Sequence, residues 1–335
     1  MDEIGKESRS KFRYAVILGN VGACCDRFLS TGYSAPFTVD QMFDRVAGIS
    51  HVKGVELVAN WHISRDNMLQ IRDHLARTGL ELVSVIPDHF GQEKWGKGAF
   101  TSKNPVIRKE AISHSKEMMD IAAELGCKLV SLWPGQDGYD YYFQADYIEE
   151  RGWFEEGLKE CCKHRKDVKV AVEYKIKEPR NRSYPSNVYA TLLMIREAGE
   201  ENCGITIDFG HALVAYENVA ESVAVLKKYG DKLFHMHMND NYGYWDDDMI
   251  AGSIHTIQYM ELMYWLKRTG YKGWISMDQY PYREDGQKAV NESIQWMVAF
   301  ENIVDRMDQE EVANAIKSGD AVISGRMIRK YMLGG

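Results

Sequence analysis

Short apolar runs alternate with longer segments of helical period along most of the chain. Eight runs rich in Val, Ile and Leu stand at 14–19 (YAVILG), 54–59 (GVELVA), 80–87 (LELVSVIP), 127–134 (CKLVSLWP), 169–175 (KVAVEYK), 204–210 (GITIDFG), 233–240 (LFHMHMND) and 273–280 (GWISMDQY). Each reads as a strand. Between them lie helical patterns such as Arg108 to Leu125, which stops at Gly126, a residue that tolerates the left-handed backbone ending many helices. Strand-helix alternation repeated eight times predicts an α/β fold, a closed parallel (β/α)8 barrel. No Pro/Gly/Ser linker, charge block or low-complexity stretch divides it. Residues 1–300 are therefore expected to form one barrel domain, and 301–335 a helical tail that contacts another subunit.

The alternation within the strands says more than their number, because side chains at i and i+2 share a face. In the last four runs one set is apolar: Val170 and Val172, Ile205 and Ile207, Phe234, Met236 and Met238, Ile275 and Met277. That set should face the helices. The other set reads Ala171 and Glu173, Thr206 and Asp208, His235 and His237, Ser276 and Asp278, and should face the barrel axis. Four strands thus each deliver an inward ionisable residue at the carboxyl end, where barrel enzymes build their sites.

Composition narrows the partners. The 335 residues are 45% hydrophobic and 27% charged, as in an ordinary globular chain with a large core. Forty-one Lys and Arg against 49 Asp and Glu leave a formal charge of -8, the wrong sign for neutralising phosphates, so nucleic acid is not expected as a partner. Cys24, Cys25, Cys127, Cys161, Cys162 and Cys203 lack C-x-x-C spacing and read as thiols of a reducing compartment. The amino-terminal MDEIGKESRSKFR carries both signs of charge, and the apolar run Tyr14–Leu18 is shorter than a signal-peptide core. With no apolar stretch of about 20 residues, no membrane partner is expected and a cytoplasmic location is.

Glu173, Asp208, Asp278 and His237 converging on one barrel mouth would repel and desolvate one another unless a cation neutralises them. Oxygen-rich ligation with one imidazole and no thiolate suits Mn2+ or Mg2+, with Co2+, Fe2+ or Zn2+ also accommodated. Any one of these side chains alone would read as a satisfied polar group of the barrel interior; four at equivalent positions favour a metal. Gln279, beside Asp278, is the alternative fourth ligand.

Several stretches, in order, resemble the xylose isomerases and the wider group of sugar isomerase and epimerase TIM barrels: GAFTSKNPVIRKEA from Gly98, SLWPGQDGY from Ser131, EYKIKEP from Glu173, DFGH from Asp208 and RED from Arg283. The ordered set is more specific than any member. The resemblance implies that Glu173, Asp208, His237 and Asp278 are the metal ligands. It also implies that Trp133 walls a substrate pocket together with Glu178, and that Lys175 and His211 lie near the reacting carbons. A second metal in xylose isomerases would correspond here to Asp208, His211, Asp246 and Asp248, although 246–248 reads equally as a solvated acidic loop. Asp208 and His237 replace the family's Glu and Asp, as in the one-metal ketose 3-epimerases, and one metal is expected.

The largest departure follows the second strand, where xylose isomerases carry an H-D-x-D element that helps open the sugar ring. ANWHIS here keeps His62 without its Asp. His89, in PDHFG, is a further candidate acid or base at the rim. Physically, a divalent ion beside a sugar carbonyl favours loss of the neighbouring C–H proton, with Glu173 and Asp278 as acceptors and Lys175 and His211 as donors. Three functions fit: a metal-dependent sugar isomerase or epimerase; a C-glycoside deglycosidase catalytic subunit, a lyase on 3-keto glycosides paired with a small second subunit; or a non-catalytic sugar-binding barrel. The aromatic run Tyr139, Tyr141, Tyr142, Phe143 and Tyr147 would hold a flat aglycone or pack at a subunit interface. A homo-oligomer, or a hetero-oligomer with a small subunit, is expected.

Overall fold

All eight apolar runs become strands of one closed, all-parallel barrel: β1 (Arg13–Ile17), β2 (Val52–Val58), β3 (Glu81–Ile86), β4 (Leu129–Leu132), β5 (Lys169–Glu173), β6 (Cys203–Asp208), β7 (Leu233–Met238) and β8 (Trp274–Met277). They follow one another in sequence order, and β8 closes on β1 with Val16 opposite Met277. This is a computed structural model, and it describes residues 12–26 and 28–334. Most of the amino-terminal stretch read above, residues 1–11, and Gly335 of the expected tail lie outside the described residues.

Among the described residues, nine helices pack around or between the strands: α1 (Val39–Ala47), α2 (Met68–Thr78), α3 (Pro105–Glu124), α4 (Tyr147–His164), α5 (Val188–Ala198), α6 (Phe209–Val214), α7 (Val219–Lys228), α8 (Thr256–Thr269) and α9 (Gly286–Arg306). Helix α3 begins three residues earlier than its periodicity suggested, because the Asn104 side chain accepts the Val106 N–H and Pro105 supplies a first-turn φ. Its end is as expected, with Gly126 at φ +80. The outward strand residues Val170, Val172, Ile205, Ile207, Met236, Met238, Ile275 and Met277 are buried in one core with helix residues such as Phe154, Leu158, Leu262 and Met297.

The axis is different. Ala15, Val83 and Trp274 form a small apolar plug, while Ile17, Val58 and Ile86 form another on the β1–β3 side with Phe90 against it. Between and opposite these, the interior is polar: Ser131 Oγ lies 2.8 Å from Thr206 Oγ1, and His235 Nε2 lies 2.9 Å from Glu56 Oε1. The barrel mouth therefore has an apolar half and an ionisable half.

Two devices hold the loops at that mouth. The buried Asp137 carboxylate accepts the N–H groups of Ala99 (2.9 Å) and Thr101 (2.7 Å) and the Thr101 hydroxyl, tying the loop after β4 to the loop after β3. Gly138–Tyr139 pairs antiparallel with Arg182–Ser183, tying the same loop to the one after β5. The GAFTS and PGQDGY stretches are thus scaffold as much as site. In the RED stretch, Asp285 caps α9 and pairs with Arg45.

Helix α9 runs unbroken past residue 300, with Glu301 and Val304 buried, so the expected domain boundary falls inside a helix. Beyond it come α10 (Gln309–Ser318) and α11 (Ala321–Leu333). Tyr331 accepts the Asp308 N–H and donates to Glu311, folding α11 back on the start of α10, yet no α11 residue is buried. No helix among the described residues is long and apolar enough to cross a membrane.

Candidate metal centre and active site

The four inward residues at the ends of β5 to β8 come together. Glu173, Asp208, His237 and Asp278 offer ligand atoms that all lie within 4.8 Å of one another. Register explains why: Asp208 and Ser276 flank His237 on the neighbouring strands, so the ends of β6, β7 and β8 present their side chains side by side. His237 Nδ1 is 3.2 Å from Glu173 Oε2 and 3.3 Å from Asp278 Oδ2. That nitrogen has no hydrogen-bond partner, although it is fully buried. Gln279 turns away, its carbonyl accepting from Ser293 on α9, so Asp278 is the member of the pair that joins the group.

Asp208 is held from two sides. It caps α6 by accepting the His211 N–H at 2.8 Å, and Asn239 Nδ2 donates to its second oxygen at 2.9 Å. Burial, with Asp246, Glu173 and Asp278 nearby, pushes its carboxyl up to about 7 despite His211. Asp278 is likewise raised, first by burial and then by Glu173, against the pull of His237. Burial would lower His237, but Glu173 and Glu56 hold its imidazole well above the ordinary histidine range. A divalent ion beside Nδ1 would neutralise the carboxylates that surround it. The donor set, three carboxylates and one open imidazole nitrogen, fits such an ion.

A second acidic group sits beside the first, but the chain neutralises it with its own side chains. Asp246 Oδ2 takes Lys175 Nζ at 2.7 Å and His211 Nε2 at 3.0 Å, and Lys175 also reaches Glu178 at 2.8 Å. Both His211 nitrogens are engaged, Nδ1 donating to the Tyr174 carbonyl at 3.0 Å and lying 3.3 Å from Glu173. Burial alone would lower His211; Asp208 and Asp246 raise it to about 9, making it a cation at neutral pH. Asp208, His211 and Asp246 are close enough to form a metal trio, while Asp248 lines the cavity outside that trio at φ +50.

These groups open into a cavity of about 580 Å3. Glu173, Lys175, Glu178, His211, Asp246, Asp248 and Asp278 form one side, and Ile17, Val58, Ile86, Phe90, Trp61 and Trp133 the other. Trp133 packs against Phe90 with the rings tilted, 4.6 Å between centroids, and lies under Lys175 Nζ. Phe37, Tyr280 and Tyr282 complete the rim. His62 lines the cavity too; its Nδ1 accepts the Val58 N–H at 3.1 Å, so its proton is on Nε2, and burial pushes it down to about 4, leaving it neutral.

Two sequence expectations do not meet the cavity. His89 is not among its walls: the ring is packed between Trp95, Phe100 and His114, with Nε2 3.1 Å from the Ala111 carbonyl of α3. The loop after β3 folds it into the helix layer, where desolvation pushes it down to about 3. Nor does the 139–147 aromatic run wall the metal cavity; Tyr141, Tyr142 and Phe143 are exposed on the surface. What the sequence reading missed is Glu56, fully buried on β2 against His235 and His237. The signal was present, a lone carboxylate in the apolar run GVELVA.

The geometry has counterparts. A xylose isomerase of Thermus thermophilus is 30% identical over 251 residues, 71% of this chain and 65% of that enzyme. One of Paraburkholderia xenovorans is 25% identical over 59% of this chain and 48% of its own length. The chain thus spans about two thirds or less of the curated relatives it matches. Among solved structures, a D-tagatose 3-epimerase-like protein shares the fold at TM-score 0.67 with 22% identity, covering 88% of this chain and 98% of that one. A 3-keto-D-glucoside 4-epimerase from E. coli does so at TM-score 0.65 with 17% identity, covering 86% and 99%. The model of the xylose isomerase-like TIM barrels matches residues 45–300, from α1 to α9, and the chain belongs to that family.

Proposed function

We propose that the chain is a divalent-metal-dependent enzyme that removes the proton beside the carbonyl of a sugar or keto-sugar and returns it to give an isomer or epimer. The observation that carries this is the convergence of Glu173, Asp208, His237 and Asp278, which opens through Glu173 and Asp278 to a cavity also lined by the linked Lys175, Asp246 and His211. These four residues would hold one ion, Mn2+ or a similar divalent cation. It would supply Lewis acidity that polarises the carbonyl and keeps the carboxylates ionised.

The chain's own groups do the rest. One of Glu173 and Asp278 accepts the C–H proton; for an epimer the other delivers a proton to the opposite face, and for an isomer the first returns the proton to the adjacent carbon. Lys175 and His211, both cationic and fixed by Asp246, donate to the oxygen that gains charge. Trp133, Phe90 and Trp61 keep water from that side. Because side-chain cations already neutralise Asp246, a single ion is proposed, without the second site of the xylose isomerases.

A second reading is favoured by the apolar half of the cavity. A pyranose needs few apolar walls, whereas Trp61, Phe90, Phe37, Tyr280 and Tyr282 suit a flat aglycone beside the sugar. Deprotonation next to a 3-keto group would then expel the aglycone, which takes a proton from Lys175 or His211, as in a C-glycoside deglycosidase. His62 without a carboxylate partner is consistent with a substrate that needs no ring opening. The solved 3-keto-D-glucoside 4-epimerase of the same fold supports keto-glycosides as a class to test.

The experiment is to incubate the Mn2+-loaded protein in D2O with free ketoses and with 3-keto glycosides, and to identify products by NMR and mass spectrometry. Deuterium beside the carbonyl with sugar interconversion supports the first reading, and aglycone release the second. Retention of the original hydrogen in every product contradicts both. Glu173→Gln, folded by circular dichroism, should lose turnover by several orders of magnitude.

A further inference from the structure

Inside the barrel, below the proposed ion, lies a group the mechanism above does not use. Glu56 of β2 is fully buried, and three donors converge on its carboxylate: His235 Nε2 at 2.9 Å, His237 Nε2 at 3.3 and 3.4 Å, and the Ser84 hydroxyl. A lone buried carboxylate would be costly. The two imidazoles and the Ser84 hydroxyl surround it instead, so it is a hydrogen-bonded acceptor fixed on the barrel axis.

His237 stands between that carboxylate and the ligand set. Its Nε2 faces Glu56, while its Nδ1 faces Glu173 and Asp278 and has no hydrogen-bond partner. A histidine ligand must present a bare nitrogen, and which nitrogen is bare depends on what the other one donates to. We propose that Glu56 is a positioning residue for the metal centre: by accepting the Nε2 proton of His237 it fixes the ring with Nδ1 turned toward Glu173 and Asp278. His235, at a 4.9 Å centroid distance and nearly perpendicular to His237, holds Oε1, while the Ser84 hydroxyl donates to Oε2, and together they keep the carboxylate from rotating away. This rests on the reading that Glu173, Asp208, His237 and Asp278 hold the ion. Glu56, His235 and His237 could otherwise be read as a second metal trio, but that would claim the Nε2 proton on which the first depends.

Glu56→Gln tests it. The amide offers one acceptor oxygen to two ring N–H groups and turns an NH2 toward one of them, so His237 loses the partner that fixes its tautomer. Mn2+ titration calorimetry on the full chain should give one ion per wild-type chain and a Kd about 10–100-fold weaker in Glu56→Gln. Ser131→Ala, which removes an unrelated polar contact of the interior, should lower the melting temperature without moving the Kd. Equal Mn2+ affinity in wild type and Glu56→Gln overturns the positioning role and leaves the metal centre standing. A wild-type chain that binds no Mn2+ removes both. Should Glu56→Gln not fold, 15N NMR of histidine rings in the Zn2+-loaded wild type decides: His237 protonated at Nε2 alone is expected, and His237 protonated at Nδ1 refutes the proposal.

Discussion

Gly210 is the second residue of α6, two residues after Asp208, one of the proposed metal ligands, and its backbone is pressed against the loop after β7. A Cβ there would lie 2.0 Å from Asn239 Oδ1 and 2.7 Å from Asn241 Nδ2, where ordinary contact starts at 3.4 Å. Asn239 would have to retreat by about 1.4 Å, and it is fully buried with no free space to its side. That retreat would break the 2.9 Å hydrogen bond from Asn239 Nδ2 to Asp208. Overpacking costs about 1–3 kcal/mol, and a hydrogen bond to a carboxylate contributes about 1.5–3 kcal/mol. Gly210→Ala should therefore lose about 3–5 kcal/mol, lowering the melting temperature by several degrees. Because Asp208 is released from one side, Mn2+ affinity should fall with it, by about 10-fold or more. Differential scanning calorimetry and Mn2+ titration read the two effects. Gly152→Ala, in α4 where a Cβ meets nothing within 4 Å, is the control and should be neutral or slightly stabilising. A Gly210→Ala protein with the melting point and Mn2+ affinity of the wild type would refute the reasoning.

Two further outcomes follow from the buried charges. Lys175→Met leaves Asp246 with His211 as its remaining cation among the described residues and should cost about 3 kcal/mol, with turnover falling as well; a thermal melt within a degree of the wild type would mean the ammonium is not held there. His62 and His89 are kept neutral by desolvation, at about 4 and about 3, so the unfolded chain takes up protons near pH 6.5 that the folded chain refuses. Stability is full above pH 6.5 and falls below it, by about 2 kcal/mol per residue at pH 5. Urea midpoints between pH 7.5 and 5 should fall less steeply for His89→Gln than for the wild type, and parallel curves would contradict this.

The barrel was legible because its grammar is local. Each strand shows as a short apolar run, and the period of two along β5 to β8 separates the core-facing Val, Ile and Met from Glu173, Asp208, His237 and Asp278. The same rule applied to β2 singles out Glu56, the one carboxylate in the apolar run GVELVA. Loop residues obey no such period. His89 stands at a strand end like a site residue, and only the packing of the following loop on α3 carries it into the helix layer. The apolar cavity wall was hidden for a related reason: Phe37, Trp61, Phe90 and Tyr280 come from four separate loops, while the conspicuous aromatic run at 139–147 lies on the outer surface. Asp246 reads equally as a second-metal ligand or as one of three solvated acids, because nothing local reveals that Lys175, on another strand's end, reaches it.

Crystals of the Mn2+-loaded protein, measured by anomalous diffraction at the manganese edge, locate the ion directly. The account predicts one peak, about 2.0–2.3 Å from oxygens of Glu173, Asp208 and Asp278 and from His237 Nδ1. A peak instead on Asp208, His211 and Asp246, or on Glu56, His235 and His237, or no peak at all, would contradict it.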